Sequence, residues 1–179
     1  MEKTEEKTEQ KEKKNIIKEL IPYIVIILIV VLLRAFIITP VQVEGTSMYP
    51  TLKDTEILLL KKYDHSFERF DIVVFDYNGS RLIKRIVGFP GEYVEYKDNK
   101  LYINGNRVKE DFISTQKTGD FKLEEIGYDV IPDDYYFVMG DNRNNSTDSR
   151  IIGLVHKNDI AGSTNLSLFP FSEAGKINK

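Results

Sequence analysis

Leu82-Ile83-Lys84-Arg85-Ile86-Val87-Gly88 is an aliphatic run interrupted by two adjacent cations and closed by a glycine. Its length suits a strand better than a helix. Side chains alternate across a strand. Leu82, Lys84 and Ile86 therefore share one face, and Ile83, Arg85 and Val87 the other. A lysine between two aliphatics is a candidate for burial, although an exposed edge strand would also accommodate Lys84 and Arg85. Burial disfavours the ammonium form and lowers a lysine pKa. A neutral amine can then serve as a general base near neutral pH.

Outward from this run the same pattern recurs. Glu56 to Lys61 and Asp71 to Phe75 are short apolar runs of strand length, and Glu92 to Tyr96 alternates polar with apolar. Lys100 to Ile103 is followed by Asn104-Gly105, a strong turn dipeptide. Tyr135 to Met139 is aromatic and β-branched and ends at Gly140-Asp141. Strands at this frequency, with few helical patterns, predict a mainly β fold. The segment from Asp111 to Pro132 is polar and weakly patterned, and reads as an insertion or a long excursion.

Upstream lies Gly45-Thr46-Ser47-Met48-Tyr49-Pro50-Thr51-Leu52, a turn-prone segment. Gly45 allows close backbone approach to a substrate, and Pro50 restrains the chain beyond the serine. A serine hydroxyl is a weak nucleophile until a neighbouring base takes its proton. Alone, Ser47 reads as a loop serine; with Lys84 it suggests an amine-activated alcohol. Gly140 to Arg150, rich in Asp, Asn and Ser, reads as a hydrogen-bonded platform. Asp148 can pair with Arg143 or Arg150, and Ser146 is placed to hydrogen-bond an amine. A calcium loop fits poorly. Counted from Asp141, Arg143 falls on a ligand position and Ile152 replaces the closing Glu.

Composition narrows the chemistry. The 179 residues favour one core. A net charge of −3 makes no case for a nucleic-acid partner. The absence of cysteine excludes disulfides, zinc–cysteine clusters and thiol catalysis. His65 and His156 are the only histidines, and neither has a neighbouring motif.

Residues 1–20 hold six Lys and six Glu, which reads as a disordered charged tail, with a frayed helix as the alternative. Ile21 to Ile38 is apolar all round, and its 18 residues just suffice to cross a bilayer if Lys18 and Arg34 snorkel. A buried core helix and a cleaved signal peptide are the rivals. The long charged leader and the lack of an A-x-A site argue against cleavage. The preceding lysines favour a cytoplasmic N-terminus, with residues 39–179 as an extracytoplasmic domain; Lys53, Lys61 and Lys62 blunt that asymmetry.

In these motifs the chain resembles the type I signal peptidases. Ser-Met-x-Pro-Thr stands at Ser47 to Thr51, and a strand resembling the family's Gly-Asp-Ile-Val box stands as Phe70-Asp71-Ile72-Val73, with phenylalanine in the place of the glycine. Lys-Arg-Ile-Val-Gly-x-Pro-Gly-Glu runs from Lys84 to Glu92, and Gly-Asp-Asn-Arg-x-x-Ser-x-Asp-Ser-Arg from Gly140 to Arg150. The resemblance implies a membrane-anchored, mainly β protease with Ser47 as nucleophile and Lys84 as general base. Ser146 would orient the amine, and Asp148 with Arg143 and Arg150 would stabilise the site. The Ser47 N–H would form part of an oxyanion hole. Some members carry a serine where this chain has Gly45, so backbone donors would have to suffice. Val41, Val43 and Ile83 match positions that line pockets for small residues before the cut, as at Ala-x-Ala sites; ordinary core packing is the alternative. No metal or cofactor is implied. The implied partners are signal peptides of exported preproteins, the lipid bilayer and the secretion translocon. Phe169-Pro170-Phe171, with Leu166 and Leu168, would rest in the membrane interface or pack on the domain. Two other functions fit less well: a self-cleaving Ser-Lys protein like the SOS-response repressors, and a membrane-anchored binding module.

Overall fold

The computed structural model describes residues 18–32, 38–62, 66–113 and 117–177. Two compact units are present, residues 1–38 and 39–179. In the first, α1 covers residues 18–32. The apolar side chains from Leu20 to Leu32 are exposed. Among the described residues no helix is long and apolar enough to cross a membrane. Residues 1–17 of the expected tail and 33–37 of the expected anchor lie outside the described residues, as does His65. Residues 18–20 are helical, and Ile38 opens the first strand.

The second unit is mainly β. Its strands are β1 (Ile38–Gln42), β2 (Ile57–Lys61), β3 (Ile72–Tyr77), β4 (Ser80–Gly88), β5 (Val94–Lys97) and β6 (Lys100–Ile103). They continue as β7 (Asn106–Val108), β8 (Phe121–Lys122), β9 (Tyr135–Met139), β10 (Val155–His156), β11 (Ile160–Phe169) and β12 (Gly175–Lys176). One sheet runs β1-β2-β11-β3-β4-β9-β10, with β12 beside β11; the other runs β7-β6-β5-β8. A short helical turn, α2 (Ser149–Ile152), follows β9.

β4 is central, antiparallel to β3 on one side and β9 on the other. Residues Ile83 to Gly88 are all buried, so both cations lie inside the fold rather than on an edge. One aliphatic cluster gathers Val41, Val43, Met48, Leu52, Val74 and Ile83; another holds Val73, Phe75, Ile86 and Val138. The second sheet meets the first at Gly88. A Cβ there would stand 2.6 Å from both Ile131 Cδ1 and Val94 Cγ2, so the glycine permits this close approach.

The six strand-length runs named from the sequence all form strands, within two residues at each end. The 111–132 excursion contributes β8, paired with β5, and a 3-10 turn at Leu123–Ile126 with Leu123 buried. The longest strand, β11, has no counterpart in the sequence reading. Its small and polar residues Gly162, Ser163, Thr164 and Ser167 are buried because β2 and β3 flank it.

Candidate active site

Ser47 sits in a turn between β1 and β2. Gly45 enters it at φ +82°, a conformation that favours glycine, and its N–H donates to Asp54 Oδ1 at 2.7 Å. Tyr49 N donates to Thr46 O at 3.1 Å and Leu52 N to Met48 O at 3.0 Å, forming a helical turn. Met48 and Leu52 are at most 1% exposed and anchor that turn in the aliphatic cluster. The loop after β9 clasps it from another side. Asn142 donates from its backbone to Ser47 O at 2.9 Å and from Nδ2 to Thr46 O at 3.1 Å, while Asn145 Nδ2 donates to Thr46 Oγ1 at 3.2 Å. No acceptor takes the Ser47 N–H among the described residues.

Lys84 reaches this turn from the middle of β4. It is 2% exposed, and its Nζ lies 2.7 Å from Ser47 Oγ. The same nitrogen donates to Ile83 O at 2.9 Å, which fixes its direction. Burial lowers the Lys84 pKa from 10.5 to about 8, against the opposing pull of the Asp148 and Asp141 carboxylates. The site therefore joins an alcohol to an amine that is deprotonated in a large fraction of molecules at mildly alkaline pH.

The surrounding charges are paired, though not as expected throughout. Asp148 is fully buried; it accepts from Gly140 N at 3.1 Å and from Arg150 Nε and Nη2, both at 2.8 Å. Arg150 also donates to Arg143 O at 2.9 Å. Arg143 itself turns away from Asp148. Its guanidinium forms a bidentate pair with Glu110, at 2.5 and 3.3 Å, and donates to Tyr96 Oη and Thr118 Oγ1. The Ser146 hydroxyl departs from expectation as well. Its Oγ is buried and has no hydrogen-bond partner among the described residues, while the amine donates to Ile83 O.

Two groups escaped the sequence reading. Asp141 forms a fully buried pair with Arg85, at 2.6 and 2.9 Å, and Phe112 stacks on that guanidinium at 3.9 Å. Adjacency of Arg85 to Lys84, and of Asp141 to Gly140, was the available signal. Glu110, within Lys109-Glu110-Asp111, offered none. His156 packs edge-on against Tyr135 at 4.9 Å and accepts from Asn158 N, which is a structural role.

A cavity of about 470 Å³ opens beside the Ser47–Lys84 contact. Val41, Val43, Met48 and Ile83 line it, so the three aliphatic residues singled out from the sequence meet there. Phe169 and Phe171 lie elsewhere on the surface, 48% and 86% exposed.

A model of the family described as "Signal peptidase, peptidase S26" matches residues 14–169. The chain belongs to that family. It is 42% identical over 156 residues to Signal peptidase I S of Bacillus subtilis, which covers 82% of this chain and 85% of the relative. Signal peptidase I T of the same organism is 43% identical over 152 residues, covering 79% of each. The crystal structure of a signal peptidase I from Enterococcus faecalis V583 is similar, with a TM-score of 0.51 and 41% identity over 55% of this chain and 96% of that one. In this signal-peptidase family member the three segments that carry the resemblance meet around Ser47. Ser47 to Thr51 forms the turn, Lys84 to Glu92 forms β4 and its exit, and Gly140 to Arg150 forms the clasping loop.

Proposed function

We propose that this chain is a membrane-anchored serine endopeptidase that removes signal peptides from exported preproteins after small residues. The observation that carries it is the 2.7 Å contact between a buried amine of lowered pKa and the Ser47 hydroxyl. Ser47 Oγ attacks the scissile carbonyl while Lys84 Nζ accepts its proton. The oxyanion of the tetrahedral intermediate takes the Ser47 N–H, which has no acceptor among the described residues. Each such donor is worth about 3–4 kcal/mol in other serine proteases. The ammonium of Lys84 protonates the departing amine, and the acyl-enzyme forms. Water that gives its proton to the regenerated amine then attacks the ester, releasing the carboxylate and free Ser47.

The aliphatic cavity supports selection before the cut. β-branched Val41, Val43 and Ile83 line it, and such walls would favour alanine-sized side chains over larger ones. Asp148 and Arg150 hold the loop beneath the site, with Arg143 tied to Glu110. Ser146 lines the cleft that Lys84 and Ser47 also line, and its hydroxyl, without a partner among the described residues, is assigned to orienting the amine. The apolar run from Ile21 to Ile38 supports an anchor with a cytoplasmic N-terminus and an extracytoplasmic domain from residue 39. The bilayer and the secretion translocon are then the partners beside the preprotein.

Ser47→Ala and Lys84→Ala are each expected to abolish cleavage of a preprotein with an Ala-x-Ala site by the purified chain. Normal processing by either variant would refute the assignment.

A further inference from the structure

The Ser47–Lys84 contact lies between two clefts, not one. Beside the aliphatic cavity is a second depression of about 580 Å³, lined by Asn144, Asn145, Ser146, Thr147 and Ile151. Ser47, Lys84, Leu82 and Glu44 line both. The linings differ in their residues. Val41, Val43 and Ile83 belong to the first alone, beside Gln42, Ser80 and Arg81; the second adds the amides and hydroxyls of Asn144, Asn145, Ser146 and Thr147, and the apolar side chain of Ile151, which is 72% exposed. Ile151 is nonetheless held in place. It lies on α2, whose first turn is capped by Asp148, and its N–H donates to Asp148 O at 2.7 Å.

A polypeptide attacked at Ser47 must leave the scissile bond in two directions. If the residues before the cut occupy the aliphatic cavity, the chain beyond the cut crosses the other depression. We propose that this second cleft binds the first residues of the mature chain, with Ile151 contacting their side chains and selecting among them. This rests on the peptidase reading above and extends it to the released product.

Charge reversal at an exposed position makes a test that a merely structural role would not pass. Ile151→Lys and Ile151→Asp are compared with the full-length wild type on peptides identical up to an Ala-x-Ala cut. The first two residues after the cut are Lys or Asp. The Lys variant is expected to favour the Asp peptides and the Asp variant the Lys peptides. Each should shift kcat/KM ratios roughly five-fold at low ionic strength, the worth of two charges about 4 Å apart in water, and lose that shift in high salt. Cleavage with the same preference in both variants would overturn this proposal alone. Failure of the wild-type chain to cut any peptide would bring down the peptidase reading and this one with it.

Discussion

At the scale of the residue, the central balance is in Lys84. Its burial would destabilise an ammonium strongly, and Asp148 and Asp141 offset only part of that, leaving a pKa of about 8. The acidic limb of kcat/KM is therefore expected near pH 8, rising with pH as the amine loses its proton; a limb below pH 5 would exclude Lys84 as the titrating base. The same shift bears on stability. Because the folded pKa lies below the unfolded value of 10.5, the fold carries the full cost of the buried charge below about pH 8. That cost fades as pH rises toward 10.5. Lys84→Met is accordingly expected to be inactive yet more stable at pH 7, by about 1–3 kcal/mol. The gain should shrink by pH 10, and urea denaturation at the two pH values checks it. Ser47 and Lys84 could be named from residue type and motif. The partner that directs the amine, Ile83 O, could not, because a backbone carbonyl has no signature in sequence.

At the scale of the element, the loop after β9 is held from the second sheet. Arg143 leaves the loop to meet Glu110, Tyr96 and Thr118, and its side chain is fully buried. Breaking a buried ion pair by removing one partner costs about 3–5 kcal/mol. Glu110→Ala is expected to lose stability of that order, and Glu110→Gln less, since the amide keeps one acceptor. Both should lower kcat more than they raise KM, because the loop that clasps Ser47 loosens while the aliphatic cavity is untouched. A Glu110→Ala variant with wild-type stability would refute this. Strand content was legible where aliphatic or aromatic residues are dense, as in β3, β4 and β9. It was not legible in β11, where Ala161-Gly162-Ser163-Thr164 lacks an apolar pattern. That segment becomes a strand through pairing with β2 and β3, residues some 90–105 positions earlier.

At the scale of the whole molecule, the two compact units have separable expected tasks. A chain beginning near residue 36 should keep its kcat/KM on a soluble peptide, because the Ser47 turn, β4 and the clasping loop all belong to the second unit. On a preprotein held in lipid vesicles it should fall at least ten-fold, since anchoring raises effective concentration; equal rates on vesicles would refute the anchor. Composition and patterning by themselves determined the exclusion of thiol and disulfide chemistry, the mainly β class and the apolar run; Ser47 and Lys84 were candidates that the motif resemblance joined into a pair. These depend on residue type and short-range periodicity, which the chain carries locally. Tertiary structure alone decided that Arg85 and Lys84 are both buried, that Arg143 pairs with Glu110 rather than Asp148, and that Ser146 Oγ has no partner among the described residues. Each of those outcomes depends on what a distant strand or loop brings within about 3 Å, the range over which hydrogen bonds and desolvation act.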